Sequence, residues 1–181
     1  MNKQKFRILF PMLFIIGCAT HPIAMNYAPS SLLTSGGSIQ INNFIYKPFI
    51  DKKVKENEIR TTAIGYFEIE SPISTLISNA IKLELKFMGT KLDNSSNKIL
   101  TGEIEEFLVD DLGFSVDVTL KIKYKTEVDN KVCTTTEIVT KKNGAKFINA
   151  TGLVSDTIKS NIENLAQDDN FSSCLLSLKK Q

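Results

Sequence analysis

From Phe114 to Lys125 the chain alternates without a break. Phe114, Val116, Val118, Leu120, Ile122 and Tyr124 interleave with Ser115, Asp117, Thr119, Lys121, Lys123 and Lys125. Successive side chains of a strand point to opposite faces, so an alternation of this length demands a sheet with one buried and one wet face. Something amphipathic must cover the buried face. Two segments qualify. Ile73, Leu76, Ile77, Ala80, Ile81, Leu85 and Met88 recur at helical spacing. Ser71 suits the N-cap of that helix, Pro72 its first position and Gly89 the residue just past its end. Leu153, Val154, Ile158, Ile162, Leu165 and Ala166 share the face of a second helix over about 150–167. Asp168, Asp169 and Asn170 offer a fresh cap, and Phe171 to Leu178 suits a short final helix.

The remaining strands are read from β-branched and aromatic content between turn residues. Ser38 to Tyr46 is one. The charged stretch Lys47 to Arg60, with Pro48, predicts a long hairpin loop, and Thr61 to Ile69 the returning strand. Lys98 to Val109 follows, with Gly102 marking a bulge. Lys131 to Lys141 is the last, after a turn at Asp129-Asn130 and before a turn signal at Asn143-Gly144. Asp93 to Asn97 and Asp110 to Gly113 are the other turns. The order predicts an α+β fold: a mainly antiparallel sheet of four to five strands with two amphipathic helices packed on one face.

The first eighteen residues carry a different signal. Lys3, Lys5 and Arg7 precede an apolar run, Ile8 to Ile16, broken only by Pro11 and ending at Gly17-Cys18. This is the pattern of a secretory signal, too short for a membrane span of about 20 apolar residues. The branched pair Ile15-Ile16, a small residue and Cys18 match the bacterial lipobox, so the start resembles a bacterial lipoprotein precursor. That likeness implies cleavage of residues 1–17 and lipidation of Cys18, with palmitate among the acyl chains. The expected organisation is a leader over 1–17, a lipidated tether over 18–37 rich in Pro, Gly and Ser, and one domain over 38–181. Ala19 after the cysteine favours the outer membrane facing the periplasm over inner-membrane retention. A Gram-positive host would instead put the domain on the outer face of its single membrane.

Losing the leader changes the charge. The +2 of the 181-residue chain becomes −1 in the remaining 164 residues. A near-neutral domain has no electrostatic footprint for nucleic acid. Cys133 and Cys174 are then an even pair in an oxidising compartment, which favours a bridge over two separate buried thiols. Closing a loop of about 40 residues stabilises by roughly 3–4 kcal/mol in the chain-entropy model.

No cofactor or metal is implied by the spacing of titratable residues. His21 lies three residues from the anchor, where no core holds an imidazole for catalysis. Glu103, Glu105, Glu106, Asp110 and Asp111 are the one acidic cluster. Glu103 and Glu105 share a strand face, as a glycosidase pair would, but a solvated hairpin end explains them more simply. Asp110-Asp111-Leu112-Gly113 is too short for a calcium loop. Lys52, Lys53 and Lys55 are balanced by Asp51, Glu56 and Glu58.

The layout resembles the YajG family of bacterial lipoproteins. The resemblance spans most of the mature chain and rests on the lipobox, the hairpin followed by a helix, the three-strand meander and the last helix. Asn164-Leu165-Ala166-Gln167-Asp168 is its closest local match, and Ile64-Gly65 a weaker one. It implies an envelope lipoprotein with no defined biochemical activity and no catalytic residues to transfer. Auxiliary lipoproteins of lipid-transporting ABC systems have a similar layout.

The leading expectation is therefore a non-enzymatic binding or accessory lipoprotein. It is held to the membrane through Cys18 and meets an envelope protein partner, with any small-molecule ligand unspecified. One alternative is an auxiliary subunit of a lipid-transport ABC system, which predicts an apolar groove between helix and sheet. The other is a carboxylate-based enzyme acting on glycans.

Overall fold

The computed structural model describes residues 21–145 and 150–176, so the leader and Cys18 lie outside the described residues. Seven strands form one sheet: β1 (Ser38–Tyr46), β2 (Glu58–Thr61), β3 (Tyr66–Glu68), β4 (Lys91–Leu92), β5 (Lys98–Asp110), β6 (Ser115–Val128) and β7 (Lys131–Ala145). Four helices accompany it: α1 (Lys47–Ile50), α2 (Ile73–Phe87), α3 (Ala150–Ala166) and α4 (Asp169–Leu176).

The thirteen-residue β5 is the axis of the sheet. One of its edges pairs antiparallel with β6 along its length, and β6 pairs with β7. Its other edge receives two strands end to end, both parallel. β1 runs from Gln40 opposite Ile99 to Tyr46 opposite Ile104, and β2 sets Arg60 and Thr61 opposite Leu108 and Val109. β4 adds a third parallel pairing on β1, and β3 folds back antiparallel on β2. The sheet is therefore mixed, and larger than the expected four to five mainly antiparallel strands. The reason is the length of β5. Its pairing with β1 ends at Ile104, which leaves later backbone groups of β5 that need partners. β2 supplies them. The expected hairpin between β1 and a strand over 61–69 accordingly does not form, and α1, with Pro48 in its first turn, occupies the start of the expected loop.

Both long helices cover the same face of the sheet. α2 packs on β1, α3 on β6 and β7, and the two helices touch. Ile77, Ile81 and Leu85 of α2 and Ile158 and Ile162 of α3 bury against Ile39, Leu100, Ile104, Leu120 and Ile122. Gly89 ends α2 at φ +103°, a conformation that favours glycine. Ser71 does not cap α2; Pro72 stands at the N-cap with no side-chain bond. Asp129 and Asn130 both take positive φ, 51° and 60°, as a tight turn matching the strand twist requires.

Three strand details differ from expectation. The β5 bulge falls between Ile104 and Glu106, not at Gly102. Before it Leu100, Gly102 and Ile104 face the helices; after it Phe107 and Val109 do. Gly102 instead lies flat beneath the ring of Phe44, where a Cβ would collide with the ring carbons. Asn143 and Gly144 do not turn the chain; they continue β7 opposite Asp117 and Val116. Phe114, expected at the head of the buried row, is fully exposed, because the ladder starts at Ser115 and Phe114 belongs to the preceding turn.

Candidate functional site

The described part of the expected tether lies against the body. Ile23 forms a parallel bridge with Ile69, its N–H donating to Glu68 at 2.8 Å and its carbonyl accepting from Glu70 at 3.1 Å. Met25, Tyr27 and Leu33 pack on the core. Glu84, on the core face of α2 and fully buried, holds the middle of this strap. It accepts from the Tyr27 hydroxyl at 2.6 Å and from the backbone N–H groups of Ser30 and Ser31 at 3.1 and 3.2 Å. Burial, then the bond to Glu84, pushes the Tyr27 hydroxyl well above its ordinary pKa. Ser31 donates in turn to Glu163 of α3 at 2.8 Å, so one segment ties both helices. A charged group this deep persists only with such partners.

The C-terminal end is fixed as firmly. Cys133 of β7 and Cys174 of α4 form a disulfide with Cα atoms 6.1 Å apart. Asp168 caps α4, accepting from the Phe171 N–H at 2.7 Å. The buried Lys98 amine donates to the Leu175 carbonyl at 2.5 Å, which satisfies one of the unpaired carbonyls at that helix end. Burial holds the Lys98 pKa below the ordinary lysine value.

The sheet face away from the helices is polar and cross-paired. Lys121 bridges Glu105 at 3.1 Å and Glu137 at 3.0 Å, and Lys141 meets Asp117 at 2.7 Å. These bonds hold the Glu105 and Asp117 carboxyls below their usual range and raise both lysines. Beside them a hollow of about 460 Å³ is lined by Lys47, Arg60, Glu105, Glu106 and Lys121, where β1 gives way to β2. Glu103 stands exposed opposite Lys123. Asp110 and Asp111 serve another purpose. The Thr62 hydroxyl lies 2.7 and 3.1 Å from their carboxylates, and the Ala63 N–H donates to Asp111 at 2.9 Å. The β2–β3 and β5–β6 turns are thereby tied together. His21 is exposed, and Lys55 pairs with Glu58 and Glu68.

Of the acidic cluster, Glu105 enters a cross-strand ion pair and Asp110 and Asp111 close turns, while Glu103 stands exposed and Glu106 lines the hollow. Among the described residues no group of three or more His, Cys, Asp or Glu is arranged to hold a metal ion. No described helix is long and apolar enough to cross a membrane. Apolar side chains of α2, α3 and the sheet pack into one core, and the hollows at its margins, between α3 and β7 and between α2 and β1, are lined largely by polar groups such as Lys142, Glu163, Asn164, Ser78, Asn79 and Lys82.

Two features escaped the sequence reading although each left a trace. Glu84 interrupts the apolar row of α2 between Ile81 and Leu85, a carboxylate where only a paired one can stay. The adjacent Glu105 and Glu106 break the parity of β5 between Ile104 and Phe107, which is the mark of a bulge.

No protein-family model and no curated protein matches the chain. Solved structures do. A Xanthomonas campestris protein of the family DUF330 superposes with a TM-score of 0.65 at 10% identity, covering 86% of this chain and 95% of its own. A minor lipoprotein from Acinetobacter baumannii gives a TM-score of 0.42 at 11% identity, over 74% of this chain and 92% of that one. A lipoprotein from Neisseria meningitidis gives 0.38 at 10% identity, over 71% and 99%. The latter two scores are too low to carry an argument, and no match singles out the YajG family. What is established is a shared fold: this chain is built like the DUF330 protein.

Proposed function

We propose that the chain is a bacterial envelope lipoprotein, acylated on Cys18, that acts without catalysis as a binding or accessory domain. Its place is the outer membrane, facing the periplasm, within the wider group of small lipoproteins that the YajG resemblance indicates. The observation that carries this reading is the strap. The segment that follows the lipobox-like Cys18 is clamped on Ile69 from Ile23 and on Glu84 from Tyr27 to Ser31, which suits a domain held close to a lipid anchor. The Cys133–Cys174 bridge suits the oxidising compartment to which the leader points. The alternating charges on the open sheet face offer a partner a wet, cross-paired surface. Of the acidic residues that a glycan-active enzyme would use, Glu105 is engaged in an ion pair and Asp110 in a turn bond, which favours binding over acid–base chemistry.

The test is crosslinking in intact bacterial cells expressing the full chain, with mass spectrometry of the product and its neighbours. We expect an acylated Cys18 and a crosslinked envelope protein reached from the Lys121–Lys141 face. Full-length product with an unmodified Cys18, or hydrolysis of purified glycan by the protein, would overturn the reading.

A further inference from the structure

We propose that the paired ends of the β2–β3 and β5–β6 hairpins form a membrane-contacting tip. It rests on the phospholipid bilayer that holds the chain's own anchor. This rests on the lipoprotein reading above and goes beyond it by assigning a surface and an orientation.

Three large apolar side chains crown these turns. Ile64 is 72% exposed, Leu112 70% and Phe114 wholly so. Single exposed hydrophobics are ordinary on a protein surface, but these stand on two turns fastened to each other. The Thr62–Asp110–Asp111 bonds and the Thr62 N–H donating to the Val109 carbonyl at 3.1 Å hold them together. The same bonds engage the Thr62 hydroxyl and the Thr62, Ala63 and Asp111 N–H groups within the protein, which lowers the cost of drawing the turns out of water. Phe114 continues the apolar row of β6 in sequence yet lies in the open, and a membrane-facing role accounts for a large apolar residue at that place.

The occupant follows from where the chain goes. Ile23 pairs with Ile69 in parallel, so the residues before Ile23 approach from the side of the residues before Ile69. Those residues are β3 and, beyond it, Gly65 and Ile64. Cys18 precedes Ile23 by five residues, and Ile64 precedes Ile69 by five. Five extended residues span at most about 17 Å. Acylation of Cys18 would therefore hold the bilayer within about 17 Å of Ile23, and the parallel pairing at Ile23 starts the chain towards the hairpin ends. Apolar side chains presented there enter the interface of that bilayer. Asp110 and Asp111 make the tip acidic, so it suits a zwitterionic lipid surface rather than an anionic one.

The chain contains no tryptophan, which makes single-tryptophan variants clean reporters. The full chain is expressed with its leader, purified in lipidated form and placed in vesicles of phosphatidylethanolamine and phosphatidylcholine, with and without brominated phosphatidylcholine. Ile64→Trp and Phe114→Trp report the tip. Val132→Trp, exposed beside the Asp129–Asn130 turn at the far end of the sheet, is the control. We expect blue-shifted emission and quenching by brominated lipid at positions 64 and 114, and neither at 132. An acylated protein with no quenching of the tryptophan at position 64 or at position 114 would overturn the tip and leave the lipoprotein reading intact. Equal quenching at all three positions would overturn the orientation. A blue shift without quenching would mean a protein covers the tip, again against the proposal. An unacylated mass would overturn the lipoprotein reading and this inference with it.

Discussion

Glu84 ties the N-terminal strap to the helical layer. It sits in the last turn of α2, fully buried, and its oxygens accept from a hydroxyl and two backbone N–H groups of a segment more than fifty residues away. Replacing it by alanine leaves those donors unpaired. We expect Glu84→Ala to lose about 2–4 kcal/mol in urea unfolding. Limited proteolysis should then cut within 25–34, which the wild-type chain should resist. Glu84→Gln keeps one acceptor oxygen and should fall between the two. Asn161 plays a comparable part for α3. Its amide donates to the Leu120 and Ile138 carbonyls and to Thr140, and its oxygen accepts from Tyr124 at 2.7 Å. Both residues interrupt apolar helix rows, and neither role is readable from the row itself, because the partners come from elsewhere in the chain.

At the scale of elements, the two chain ends are held by different means. The strap relies on hydrogen bonds, and α4 relies on the Cys133–Cys174 bridge together with Lys98 on its last turn. Cys133 lies on the exposed strand β7 while Cys174 is buried, so the bridge fixes a helix to an open edge. We expect the Cys133→Ser, Cys174→Ser double variant to lose roughly 3–4 kcal/mol in denaturant unfolding. Amide protection over 169–176 should fall more than over β6. Equal loss everywhere would show that α4 does not depend on the bridge. The helices, the β5–β6–β7 meander and the Asp129–Asn130 turn were legible because each depends on a local period or a local backbone preference. The positions of β1 and β2 were not, since a short strand carries no mark of the edge it will join.

The whole molecule is a cross-paired sheet face on one side and a helical face strapped by the N-terminal segment on the other. The ion pairs on the sheet face give it an acid sensitivity whose sign is fixed. Hydrogen bonds from Ser95, aided by Lys91, hold the Asp93 carboxyl at about 2, and Lys121 and Lys141 hold Glu105 and Asp117 below their usual range. A carboxyl with a depressed pKa in the fold adds stability above its unfolded pKa and loses it as pH falls through the folded one. The urea midpoint should therefore stay level from about pH 7 to 5 and decline from about pH 4 towards 2. Glu105→Gln should shallow that decline. The pairs are partly exposed, so added salt should weaken their share.

The sequence by itself determined the repeating elements. Alternation over 115–125 required a one-faced sheet, two apolar rows required helices to cover it, and the first eighteen residues pointed to the envelope. These are properties of neighbours along the chain, where side-chain direction is set by the backbone's own period. The tertiary structure decided which edges meet. It placed β2 beside the far end of β5, shifted the parity of β5 at Glu105 and Glu106, drew the expected tether onto Glu84, and left Phe114 in the open. Each of these follows from backbone or carboxylate groups that one element leaves unpaired and another, distant in sequence, comes to satisfy.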